Sequence, residues 1–143
     1  MNKLRLDDQV CFPLYALSRQ VTALYRPLLE KLNLTYPQYL VLLLLWETDS
    51  VTVSDIGERL RLDSGTLTPL LKRMEQKGLI SRRRNPADER QVTILLTDAG
   101  RALEKQAMTV PVDLQTSLQL TDDQLVTLRD ELKTLLNQLA SIN

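Results

Sequence analysis

Two short amphipathic patterns lie almost end to end in the middle of this chain, and they leave few folds open. VSDIGERLRL (53–62) and DSGTLTPLLKRMEQKGL (63–79) each place apolar residues at helical spacing, and only Asp63, Ser64 and Gly65 separate them. ISRRRNP (80–86), ADER (87–90) and QVTILLT (91–97) follow, and they read as a strand, a polar turn and a second strand. A helix pair with a tight junction followed by a charged hairpin is the outline of a winged helix-turn-helix. The expected class is therefore mainly α with a small β-hairpin, with the DNA-binding unit spanning 51–97.

Charge supports this locally and hides it globally. Lysine plus arginine equals aspartate plus glutamate at 18 each, so net charge is zero. Between residues 63 and 96, however, seven basic side chains face four acidic ones, and residues 97–143 reverse this with four against seven. Phosphate attraction acts over roughly a Debye length, about 8–10 Å, so the segment matters more than the total. The plainer alternative is a solvated basic face without a partner.

Other classes are disfavoured by what the residues lack. The chain has no histidine and one cysteine, Cys11, so the commonest general base, a zinc site and an internal disulfide are all missing. No catalytic residue, metal or cofactor is expected. The apolar run LVLLLLW (40–46) is far shorter than the ~20 residues that cross a bilayer, and no export signal opens the sequence. Localisation in a reducing cytoplasm, away from membranes, is the expectation.

The flanks read as helices. Val10, Leu14, Leu17, Val21, Leu24, Leu28 and Leu32 recur at helical spacing over 8–32, with Pro13 in the first turn and Pro27 inside, where it should kink or loosen the helix. Thr35 with Gln38 forms a capping box for a helix over 36–47. Val51–Val53 looks like a short strand pairing with the hairpin. Ser54 is the expected cap of the first helix of the DNA-binding unit, Asp63 or Ser64 of the second, with Gly78 as its stop. Thr97-Asp98 opens a helix to about 108, which Pro111 interrupts. Thr121-Asp122 caps a last helix striped by Leu125, Leu128, Leu132, Leu135, Leu136 and Leu139. The whole chain, 1–143, is expected to be one domain whose terminal helices, 8–32 and 98–141, form a homodimer interface; the alternative is that they pack only within one chain. A two-fold dimer sets two recognition helices roughly 34–36 Å apart over an inverted repeat.

On the second helix of the pair, Ser64, Gly65, Thr66 and Thr68 are small enough to let it sit deep in a major groove, while Lys72 and Arg73 suit phosphates. At the hairpin, Arg82 and Arg84 are further candidates, and Asp88 is expected to orient Arg90 as an ion pair at the turn. The alternative for Arg82–Arg84 is protection of an edge strand. Cys11 falls near a helix start, where the helix dipole favours an anion, although Asp7 and Asp8 oppose this; a small buried core residue is the other reading. All four tyrosines, Tyr15, Tyr25, Tyr36 and Tyr39, lie within 28 residues of it.

CFPLYALSRQVTALYRPLLEKLNLTYPQYLVLLLLWE (11–47) resembles the amino-terminal signature of the organic-hydroperoxide-sensing branch of MarR repressors. Residues 63–100 resemble the recognition helix and wing of that family, including Asp88-x-Arg90 and Leu96-Thr97-x-x-Gly100. The resemblance implies a dimeric, non-enzymatic winged-helix repressor of double-stranded DNA with Cys11 as its peroxidatic thiol. It places Tyr25 and Tyr36 as phenols that hydrogen-bond that thiol, one or more of them across the dimer. Some members carry a second, resolving cysteine; this chain does not, so it resembles the one-cysteine type, in which a low-molecular-weight thiol caps the oxidised sulfur. A related branch controls virulence and resistance genes, which leaves the regulated genes open. The competing expectation is a MarR-like regulator gated by a small phenolic or apolar ligand, with Cys11 structural.

Overall fold

In the computed structural model, which describes residues 3–140, the centre of the core is one helix, α2 (Tyr36–Glu47). Tyr39, Val41, Leu42, Leu44 and Leu45 are all buried, so this helix is apolar nearly all round, as a central core helix must be. Its start is the expected capping box: the Thr35 amide donates to Gln38 Oε1 at 3.1 Å, and the Gln38 amide donates to Thr35 Oγ1. Two compact units divide between Met108 and Thr109.

In the first unit, α1 (Cys11–Glu30) precedes α2, and the sequence continues through β1 (Val51–Thr52), α3 (Val53–Leu60), α4 (Ser64–Gln76), β2 (Ile80–Asn85), β3 (Asp88–Leu96) and α5 (Asp98–Ala107). Helix α1 starts later than expected. Leu6–Asp8 form a separate 3-10 turn, and Gln9 is extended, its side-chain amide donating to the carbonyls of Lys3 and Arg5. Pro13 does sit in the first turn. Pro27 does not end the helix, which runs on to Glu30.

The helix pair forms where the amphipathic pattern put it, but one cap differs. Thr52, not Ser54, caps α3: its hydroxyl accepts from the Asp55 amide at 3.1 Å. Only Val51 and Thr52 pair with β3, opposite Ile94 and Thr93, so the strand ends one residue early and Thr52 serves both elements. Val53 is helical rather than extended. Asp63 caps α4, accepting from the Thr66 amide at 2.7 Å. Gly78, at φ +74°, stops it in a conformation few other residues adopt. Ile56, Leu67, Leu71, Met74, Ile80 and Ile94 are each 2% exposed or less, and truncating any one to alanine should cost roughly 2–5 kcal/mol.

The three strands form one antiparallel sheet in the order β1-β3-β2. The wing turn is tighter than the expected ADER segment: only Pro86 and Ala87 connect the strands, and Asp88, Glu89 and Arg90 already belong to β3. A register shift after Arg84 and side-chain capping allow this, with Asn85 Oδ1 accepting from the Ala87 amide. At its far end, β3 hands over to α5 through Thr97, whose hydroxyl accepts from the Gly100 amide and donates to the Gly78 carbonyl at 2.6 Å.

The second unit holds α6 (Val110–Leu118) and α7 (Asp122–Ala140). Pro111 opens α6 as a separate helix instead of merely interrupting α5, because a missing amide hydrogen is harmless in a first turn. Thr121 and Gln124 cap α7 reciprocally. No α7 side chain is buried; of the expected apolar stripe, Leu128, Leu132, Leu135, Leu136 and Leu139 are exposed and Leu125 is half-buried. Residue 141, the expected end of this helix, lies outside the described residues. Among the described residues, no helix is long and apolar enough to cross a membrane.

Candidate functional site

Helix α4 presents two contrasting faces. Leu67, Leu70, Leu71 and Met74 recur at helical spacing and are buried, which anchors the helix along one side. Ser64, Gly65, Thr66, Thr68, Lys72 and Arg73 are all exposed on the other. A row of small residues at the N-terminal end of an anchored helix, with cations one to two turns further on, suits insertion into a groove of DNA with phosphates at its edges.

Two of the wing's arginines, Arg82 and Arg90, come to the α4 side of the unit. Alternation along β2 puts Arg82 and Arg84 on one face and Arg83 on the other, with Arg82 opposite Ile94 and Arg84 opposite Val92. Arg82 is tied to α4 by an ion pair from its Nε to Glu75 Oε2 at 3.4 Å. Arg84 and Arg90 make no ion pair among the described residues. Asp88 meets Arg90 differently from the expected ion pair: its Oδ1 accepts from the Arg90 backbone amide at 3.1 Å. That bond shapes the turn and leaves the guanidinium free, because a side chain two residues back reaches the amide more readily than the far end of a long arginine. A groove of about 520 Å³ runs between α3, the start of α4 and β3, and Ser64 and Arg90 both line it.

The thiol and the tyrosines are a separate matter. Cys11 is the first residue of α1 and is exposed within the chain, so the buried-core reading does not describe it. Tyr25 and Tyr36 do come together, with ring centroids 4.6 Å apart, and Tyr39 adds a third ring 5.8 Å from Tyr25. Tyr39 is the member that sequence reasoning leaves out of the site, although its place three residues after Tyr36 on one helix signals a shared face. Burial, reinforced by Tyr36 and Tyr39, pushes the Tyr25 phenol up to about 12, and burial raises Tyr36 and Tyr39 as well. All three are therefore neutral hydrogen-bond donors near pH 7. They cannot serve the Cys11 of their own chain. Cys11 and Tyr25 share one continuous helix, and at 1.5 Å per residue they lie about 21 Å apart along it. Tyr15, one turn after Cys11, has the Arg19 guanidinium 5.6 Å over its ring.

Comparison with known proteins identifies the family of the chain. A family model described as the transcriptional regulator SarA/Rot matches residues 23–107. The organic hydroperoxide resistance transcriptional regulator of Bacillus subtilis is 51% identical over 140 residues, 98% of this chain and 95% of that one. Among solved structures, reduced AbfR bound to DNA, from the Staphylococcus epidermidis regulator, has a TM-score of 0.78 at 40% identity, covering 95% of this chain and 94% of that one. A cysteine-to-serine mutant of MarR from E. coli, complexed with operator DNA, has a TM-score of 0.79 at 31% identity, covering 89% and 93%.

Proposed function

The chain belongs to the MarR-like, SarA/Rot-type family of winged-helix transcriptional regulators and is not an enzyme; from that premise we propose that it is a thiol-based repressor whose hold on DNA is released by organic hydroperoxides. A homodimer, closed by the apolar faces of α1 and α7, places two α4 helices over an inverted-repeat operator. Ser64, Gly65, Thr66 and Thr68 approach base edges. Lys72, Arg73, Arg84 and Arg90 meet phosphates or the minor groove, with Arg82 held beside them by Glu75 and Asp88 shaping the wing turn.

Release begins at Cys11. Its thiolate attacks one oxygen of the hydroperoxide, the O–O bond breaks, and the products are a sulfenic acid and the corresponding alcohol. The sulfur loses two electrons and the peroxide gains them. A low-molecular-weight thiol then condenses with the sulfenic acid, forming a mixed disulfide and water. Tyr25 and Tyr36 act on the Cys11 of the partner chain, since the length of α1 keeps them from their own. The observation that carries this reading is an exposed cysteine at a helix start in a chain 51% identical to an organic hydroperoxide resistance regulator. The test is fluorescence anisotropy on DNA from the region upstream of its own gene. Cumene hydroperoxide with a small thiol should release the protein, and dithiothreitol should restore binding. Release by a phenolic ligand without oxidation, and none by peroxide, would transfer the function to ligand gating.

A further inference from the structure

Lys77 belongs to the basic segment that includes the recognition helix, and although the residue is exposed its ammonium group is tied back to the protein surface. It follows the last residue of α4, and its Nζ donates to the backbone oxygen of Asn33 and, at 3.0 Å, to Oε1 of Gln38. Gln38 is 3% exposed, and the same oxygen accepts from the Thr35 amide at 3.1 Å. One buried amide oxygen thus serves both the capping box that starts α2 and the base of α4. Residues 31–35, Asn33 and Thr35 among them, connect α1, which bears Cys11, to α2, whose first residue is Tyr36.

We propose that Lys77 is a positioning residue: a latch that fixes the C-terminal end of the recognition helix to the α1–α2 connection, and through Gln38 to the turn of α2 that carries Tyr36. The inference rests on the reading above that α4 enters DNA. Two of the three N–H donors of the ammonium are used within the chain, which commits Lys77 to these acceptors before any phosphate. A charge-assisted bond to a buried acceptor is stronger than a neutral one, which suits it to transmit displacement. Beyond Lys77 the chain reverses at Gly78 into β2, so this point is the fulcrum about which the exposed N-terminal end of α4 would swing.

Lys77→Met keeps most of the aliphatic stem and removes the donors. Amide hydrogen exchange on the free protein should show residues 34–38 and 74–77 accelerating together, by about five-fold or more. In anisotropy titrations on DNA from its own upstream region, affinity should fall about ten-fold while the slope of log Kd against log salt stays at the wild-type value. A slope smaller by about one unit would identify Lys77 as a phosphate contact and overturn the proposal. So would exchange that accelerates in one segment alone or in neither. If the wild-type protein binds no DNA, the proposed function fails, and the exchange measurement still decides whether the latch exists.

Discussion

A methyl group on Gly100 would stand 2.1 Å from the carbonyl oxygen of Leu79. That contact seats the first turn of α5 directly on the chain leaving α4, and Trp46 Nε1 donates to the Gly100 carbonyl at 3.0 Å from the other side. The obstructing atom is backbone, fixed by the bond from the Thr97 amide to the same Leu79 oxygen, so it has nowhere to move. Gly100→Ala should therefore destabilise the protein by about 3 kcal/mol. Gly78→Ala meets no atom within 4 Å and should cost only about 1 kcal/mol, for its left-handed backbone. Urea denaturation of both variants checks the order; equal losses would mean that α5 can slide off its seat.

The wing makes a directional prediction. Arg90 lines the groove beside Ser64, and its guanidinium has no ion pair among the described residues, so Arg90→Ala should weaken operator binding by about 1–3 kcal/mol. Arg83 lies on the strand face opposite Arg82 and Arg84, and Arg83→Ala should cost less. Glu75→Gln removes the exposed partner of Arg82 and should change folding stability by less than about 1 kcal/mol. Binding titrations at one fixed salt concentration compare the two arginines, and equal small effects would place the wing away from DNA.

Sequence reasoning reaches the helices wherever local chemistry specifies them. Thr35 with Gln38, and the 67, 70, 71, 74 apolar series, each act within a few residues and are legible from the sequence, whereas the sequence leaves the cap of α4 open between Asp63 and Ser64 and the structure gives it to Asp63. Ser54 misleads because a hydroxyl is a competent cap, and whether Thr52 or Ser54 serves is decided by where pairing with Thr93 ends. The wing turn misleads for a similar reason: Asn85 and Asp88 bond nearby amides and shorten it. The contacts from Trp46 to Gly100 and from Lys77 to Gln38 join residues 54 and 39 positions apart, and no periodicity reports them. The Cys11–Tyr25 separation is implicit in the sequence, because any unbroken helix over 11–30 imposes it.

Alkaline pH should act through the tyrosine cluster. The folded-state value for Tyr25 is about 12, above the ordinary value of 10.0. Below pH 10 the phenol is neutral in both states and its contribution to stability is fully present. As pH rises from about 10 to about 12, the unfolded chain gives up the proton and the folded chain keeps it, so stability is lost. Denaturation midpoints measured across that window should fall less steeply for Tyr25→Phe than for wild type. Parallel curves would show that Tyr25 ionises freely in the folded protein.

Cys11→Ser tests the sensor itself. Cys11 is exposed and buries nothing within the chain, and a hydroxyl is nearly isosteric with a thiol, so the variant should fold, dimerise and bind DNA within about two-fold of wild type. It cannot form a sulfenic acid or a mixed disulfide, so hydroperoxide should no longer release it. In the proposed mechanism, the basis for release of the wild type is steric and geometric. Val10 just before α1, with Phe12, Leu14 and Leu17 in its first half, leaves this end of the helix apolar and open, and a thiol adduct there adds bulk and polarity where a partner helix would pack. In the proposed dimer two recognition helices would span one DNA turn, roughly 34–36 Å, so that a shift of a few ångströms would forfeit one half-site. Anisotropy with and without cumene hydroperoxide and a small thiol reads the outcome, with intact-mass spectrometry confirming a single adduct on wild type alone. Peroxide-induced release of Cys11→Ser would remove the thiol from the mechanism.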